Sequence, residues 1–177
     1  MKGSSTMLVR RIVPPVLLSA ALTLTAASGV PSSAAPPVPE GCVVIDNLSE
    51  TIVDGTENEL GGPFPSVGDS GTYLDRLYDP AGKLVGTVYG LINVPFALPG
   101  GELVEHSDER IELPEGTIEA AGLFNVTQAE RKVWQFLPLV GTGGRYRGMV
   151  GKRYFQILQF RHSLNARIEM CPAGRPS

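Results

Sequence analysis

Residues 72–94 read TYLDRLYDPAGKLVGTVYGLINV, and the organisation of the whole chain follows from this stretch. Thr72 to Tyr78 alternates as a strand does and lacks the three-to-four-residue apolar repeat of a helix. Asp79-Pro80-Ala81-Gly82 is a tight turn, since Pro presets one turn dihedral and Gly supplies another. Lys83 to Val94 then returns as the second strand of a hairpin. Toward the C-terminus the same grammar repeats. Pro95 to Gly101 reads as a loop, Leu103 to Leu113 as a strand, and Pro114-Glu115-Gly116 as a turn into Thr117 to Asn125. Lys132 to Leu137 and Tyr146 to Gln159 flank Gly141-Thr142-Gly143-Gly144, and Ala166 to Met170 closes the chain. Toward the N-terminus, Cys42 to Ile45 and Glu50 to Val53 form one extended segment interrupted at Asn47, and 54–71 is loop-like. The expectation is an all-β domain with seven or eight strands and no helix beyond a turn or two. A small closed antiparallel β-barrel of about eight strands leaves no unpaired edge.

Composition supports this reading. Gly (21) and Pro (15) make up about a fifth of the 177 residues, which favours short strands joined by turns. The net charge of -3 offers no general attraction to nucleic acid, so no nucleic-acid partner is expected. Residues 1–35 carry a targeting pattern: Arg10 and Arg11, an apolar run from Ile12 to Val30, and Ser33-Ala34-Ala35 at the position of a cleavage site. The expectation is a secreted protein or one tethered to the membrane outside the cytoplasm. An uncleaved anchor and a start at Met7 are the alternatives. Residues 36–41 read as a stiff linker, and 42–177 as the barrel domain. The two cysteines, Cys42 and Cys171, sit at the two ends of that domain. First and last strands are neighbours in a closed barrel, so a disulfide between them would staple the seam; two free buried thiols are the alternative.

The residues supply no conventional catalytic kit. His106, Ser107 and Asp108 are adjacent in a strand and therefore point to alternating faces, which rules out a triad. His106 and His162 read as surface or rim histidines. Two cysteines and two histidines without zinc-type spacing offer no metal site. The glycines of 140–151 have neither Walker spacing nor a following helix, so their use is bending and close backbone approach. Asn47-Leu48-Ser49 and Asn125-Val126-Thr127 match glycosylation acceptors, a pattern too short to assign a role. What remains is a barrel that works through its cavity. Alternation puts Arg153, Phe155, Ile157 and Gln159 on one face of the penultimate strand, where they either fill the core or line a ligand site.

From about Gly68 to Met170 the sequence resembles the abyssomicin-type spirotetronate cyclases, small β-barrels similar in architecture to allene oxide cyclases and dirigent proteins. Gly71 with Leu77-Tyr78-Asp79 and Ala81-Gly82, Gly86-Thr87, Glu109 with Ile111, Trp134-x-Phe136-x-Pro138, Gly144-Arg145-Tyr146 with Gly148 and Gly151, Arg153, and Arg161 with Ser163 and Ala166-Arg167-Ile168 carry the resemblance. It implies an enzyme: a cofactor-free cyclase closing a linear polyketide tetronate or tetramate by an intramolecular 4+2 cycloaddition, Diels–Alder or hetero-Diels–Alder, in antibiotic biosynthesis. An allene-oxide-cyclase-like or dirigent-like cyclisation and a non-catalytic small-molecule-binding barrel are the alternatives. The partner implied is a hydrophobic linear polyketide; membrane association and a homodimer are compatible with the resemblance.

Carried over position by position, the resemblance puts Tyr73 where the family has an aromatic residue, Phe155 in place of an indole and Ile157 in place of a thioether. Leu137 and Ser107 fall where the abyssomicin enzyme has tyrosines, so those hydroxyl donors are absent or displaced. Tyr73, Tyr89 and Arg153 are the substitute donors. The implied catalytic set is thus Tyr73, Phe155 and Arg153, with Tyr89, Ser107, Trp134, Leu137 and Ile157 against the substrate. Arg153 is equally suited to be a buried structural cation paired with Asp75 or Glu109.

Overall fold

A computed structural model describes residues 38–60, 62 and 65–174. The targeting segment read in 1–35 lies outside the described residues. Eight strands follow one another: β1 Val43–Asn58, β2 Ser70–Tyr78, β3 Leu84–Ala97, β4 Leu103–Leu113, β5 Gly116–Asn125, β6 Gln135–Gly141, β7 Met149–Gln159 and β8 Ser163–Pro172. Each pairs antiparallel with its sequence neighbour, and β1 pairs with β8, so the sheet closes as an up-and-down barrel. The expected all-β closed barrel is borne out.

The hairpin of 72–94 forms as its turn chemistry dictates. The Asp79 side chain accepts from the N–H groups of Ala81 and Lys83, both at 2.9 Å, and Gly82 takes φ 77°. At the seam, Cys42 and Cys171 form a disulfide with Cα atoms 4.2 Å apart. A crosslink spanning 129 residues stabilises by about 5 kcal/mol through the restricted unfolded chain.

Several boundaries differ from the sequence expectation. β1 does not end near Val53 but continues to Asn58, pairing with Ser70 to Leu74 of β2. Its Thr, Glu and Asn residues there pair through backbone at the rim, where no apolar alternation marks a strand. Asn47, with φ 56°, forms a bulge and not a break, the register shifting between Ile45 and Leu48. Pro95 belongs to β3, tolerated because the register shifts between Asn93 and Phe96, where Pro has no N–H to contribute. Tyr146 lies in a 3-10 turn over Gly144–Tyr146 ahead of β7. Residues 132–134 are not strand. They follow a helix, α1 Val126–Glu130, whose first turn is capped by Asn125 accepting from the Gln128 N–H at 3.0 Å. Asn125 also donates to Glu102 at 2.7 Å, so its amide is engaged within the fold.

The interior has two halves. At the end holding the β2–β3, β4–β5 and β6–β7 connections, Leu77, Val88, Ile111, Ile118, Leu139, Tyr146, Ile168 and Met170 fill the lumen. At the other end the lumen is open, and α1 packs beside β4 and β7 with Val126 and Ala129 buried. β5 and β6 pair at three positions only, Ile118 to Ala120 with Leu139 to Gly141, and then diverge, which makes room for α1.

Candidate active site in the barrel lumen

The open half holds a cavity of about 440 Å³, within the range of small-molecule sites and large enough for one ligand. Its upper wall is apolar: Ile52 of β1, Ile92 of β3, Phe124 of β5, Val126 of α1, Phe155 and Ile157 of β7 and Leu164 of β8. Phe124 and Phe155 meet edge to face with centroids 5.0 Å apart, a favoured aromatic arrangement.

The cavity floor is charged. On β7, Arg153 is 2% exposed; its Nη2 donates to both oxygens of Glu50 on β1, at 2.7 and 2.8 Å, and its Nε lies 2.7 Å from Glu109 Oε2 on β4. Arg153 also stacks over Phe155, 5.2 Å from the ring centroid. Tyr73 of β2 reaches across β3 to donate to Glu109 Oε1 at 2.5 Å and lies 2.9 Å from Ser107 Oγ. The Tyr73 proton is directed to Glu109, so Ser107 must be the donor in their contact. This crossing is possible because the residue under the ring is Gly90, where any Cβ would fall inside the Tyr73 ring.

Strand alternation assembles the floor. Glu105, Ser107 and Glu109 are alternate residues of β4 and all point inward, as do Tyr73 and Asp75 of β2. Glu50, Asp75, Glu105 and Glu109 are each at most 6% exposed. Three buried carboxyls around the Arg153 guanidinium, with Glu105 beyond Glu109 on β4, cannot all be ionised. Burial, reinforced by Glu50, pushes Asp75 up to about 9. Burial pushes Glu105 up to about 8. Burial also raises Glu109, to about 7, although Arg153 opposes the rise. Burial and the neighbouring Glu109 hold the Tyr73 hydroxyl well above the ordinary tyrosine value. Burial opposes the charge of Arg153, yet Glu109 and Glu50 outweigh it and keep the guanidinium protonated. The interior is therefore neutralised largely by protons.

The structure brings Tyr73, Ser107, Arg153, Phe155 and Ile157 together around the cavity. Three expected lining residues are elsewhere. Tyr89 is 46% exposed on the outer wall because its neighbours Val88 and Gly90 take the inward positions of β3. Trp134, also 46% exposed, precedes β6 outside the barrel. Leu137 is fully buried but belongs to the packed core and not to the cavity wall. Of the two carboxylates expected as alternative partners of Arg153, Glu109 is the one that pairs with it, and Glu50 is a further partner. Glu50 and Glu105 escaped notice in the sequence. Their signal was a carboxylate at an inward position of an alternating strand, Leu48-x-Glu50-x-Ile52 and Glu105-x-Ser107-x-Glu109-x-Ile111. Among the described residues no cluster of His, Cys, Asp and Glu is arranged to hold a metal ion.

A family profile for the allene oxide cyclase barrel like domain matches residues 49–170, more than half of the chain. The chain belongs to the allene oxide cyclase barrel-like family. Solved structures agree with the assignment. AbnU, described as an exo-specific intermolecular Diels-Alderase, is 29% identical over 73% of this chain and 96% of its own, with a TM-score of 0.68. The Diels Alderase AbmU from Streptomyces koyangensis is 27% identical over 77% of this chain and 68% of its own, also at 0.68. A cyclase described as binding heme nonspecifically and catalysing a [4 + 2] cycloaddition during neoabyssomicin biosynthesis matches with the same figures. The resemblance to abyssomicin-type cyclases read from the sequence is borne out. In this member of the allene oxide cyclase barrel-like family, an apolar chamber stands on a rigid polar floor. Such a chamber can fold a flexible apolar chain and present hydrogen-bond donors to one end of it.

Proposed function

We propose that this protein is a cyclase that closes a linear polyketide tetronate or tetramate by an intramolecular 4+2 cycloaddition within the barrel, in antibiotic biosynthesis and without a cofactor. The observation that carries the reading is the cavity itself: about 440 Å³, walled by apolar side chains and floored by fixed polar groups. A concerted cycloaddition forms two carbon–carbon bonds and transfers no proton, so it needs orientation and a polarised carbonyl more than an acid–base pair. Orientation alone is worth roughly 7 to 11 kcal/mol. AbnU is described as intermolecular; here a volume toward the lower end of the range for small-molecule sites, ~300–1,000 Å³, favours one folded chain over two separate reactants. The disulfide supports work in an oxidising compartment, so we further propose that the protein is exported, with residues 1–35 as its signal or anchor.

The test is metabolite profiling of a producing strain with and without the gene, followed by incubation of the accumulated compound with purified protein. The expected result is an accumulated isomer of equal mass that the protein alone converts to the ring-closed product. An unchanged profile, or binding without conversion, would sink the cyclase reading and leave a ligand carrier.

A further inference from the structure

The donors first expected in the cavity are already committed. Tyr73 gives its proton to Glu109, and Ser107 gives its own to Tyr73. Arg153 Nε and Nη2 face Glu109 and Glu50, and Nη1, though without a partner, is closed off from solvent. Tyr89 is on the outer wall. One polar side chain of the cavity wall is in a different position. Glu105 on β4 is 6% exposed and lines the cavity. Among the described residues no hydrogen-bond donor or cation engages its carboxyl. The charged groups that act on it are Glu109 on its own strand and Glu130 at the end of α1, both of its own sign. An uncompensated carboxyl so placed favours the neutral acid.

We propose that Glu105, as a neutral carboxylic acid, donates the hydrogen bond that polarises the substrate carbonyl conjugated with the reacting alkene, an assignment that rests on the cyclase reading. The proton stays on Glu105 throughout: two carbon–carbon bonds form, the carbonyl oxygen gains partial negative charge in the transition state, and the O–H dipole stabilises it. A neutral donor held among mainly apolar side chains interacts more strongly with such an oxygen than it would in bulk water. It also removes a negative charge from the path of an acidic tetronate, the carboxylate of Glu57 at the rim being paired with Arg161. Burial drives Glu105 to about 8, so the donor is present at neutral pH and lost in mildly alkaline solution, where Glu109 and Glu130 add to the repulsion.

The experiment uses 6-propionyl-2-dimethylaminonaphthalene, a carbonyl fluorophore whose emission moves to the red when its carbonyl accepts a hydrogen bond. Bound to the wild-type protein at about pH 6, it should emit to the red, and the emission should move to the blue as the solution is raised through about pH 8. Glu105→Leu should emit in the blue at every pH, whereas Glu105→Gln, which keeps an N–H donor of the same shape, should emit in the red without pH dependence. Circular dichroism establishes that both variants are folded. Emission from Glu105→Leu equal to wild type, a pH dependence that persists in Glu105→Gln, or failure of the probe to bind the wild-type chamber would each overturn the assignment. With the substrate in hand, Glu105→Leu should cyclise about a hundredfold more slowly. An unchanged rate would remove Glu105 and leave the cyclase reading standing; a Glu105-dependent probe shift without any turnover would do the reverse.

Discussion

Replacing Arg153 by methionine keeps most of the side-chain volume and removes the guanidinium that holds Glu50 at 2.7 Å and Glu109 at 2.7 Å. Glu50 is 0% exposed and Glu109 4%, so neither can recover hydration. Each must stay charged without a partner or take up a proton. Forcing a proton onto a carboxyl of ordinary acidity costs about 4 kcal/mol at pH 7.5 and about 2 kcal/mol at pH 5.5. The first value agrees with the roughly 3 to 5 kcal/mol lost when one partner of a buried pair is removed. The sign follows from linkage: Glu109, already raised by burial, loses the cation that opposes the rise, so the variant loses stability as the pH rises. Urea denaturation with the disulfide intact measures this. Arg153→Met should be about 4 kcal/mol less stable than wild type at pH 7.5 and about half as impaired at pH 5.5, and adding Glu50→Gln should recover most of the loss. A defect under about 1 kcal/mol, or one equal at both pH values, would refute the view that this guanidinium holds the floor together.

The wild-type protein should itself grow less stable between about pH 5 and pH 9, since Asp75, Glu109 and Glu105 are raised to about 9, 7 and 8 and keep protons that the unfolded chain has released; a urea midpoint that rises over this range would contradict that. Gly90→Ala places a methyl where the Tyr73 ring lies, which should break the hydrogen bonds to Glu109 and Ser107 and cost about 2 to 4 kcal/mol; a crystal structure with the Tyr73–Glu109 bond intact would disprove it. Phe155→Ala should leave a folded barrel about 3 kcal/mol less stable and reduce cyclisation, because the ring shapes the chamber beside Phe124; a variant that fails to fold would assign Phe155 to core packing.

The barrel was legible in the sequence because its turns are made by local chemistry. Asp79-Pro80-Ala81-Gly82 and Pro114-Glu115-Gly116 fall at the ends of strands in the structure. The seam was legible for the same kind of reason, as two cysteines flanking a closed meander have one neighbour each. The strand extension at 54–58 was not legible, since rim residues pair through backbone and their side chains carry no alternation. α1 was missed because five residues are too few to show a helical period, and its signal was the cap, Asn125 three residues before Gln128. The cavity was half legible. Alternation on β7 placed Arg153, Phe155 and Ile157 correctly, but the same reasoning applied to β3 would have turned Tyr89 outward. The acids of the floor were overlooked because a carboxylate in a strand usually faces water, and only the closed structure shows which face is inside.

The disulfide has a topological consequence. Backbone from Cys42 to Cys171 plus the sulfur bridge make a covalent ring around the barrel, so the order of strands is cyclic and no hairpin is uniquely first. A chain opened at the exposed turn of residues 79–83 and joined across the present seam would carry the same eight neighbours in the same order. A single cut in that turn would likewise leave one connected molecule for as long as the sulfurs remain oxidised.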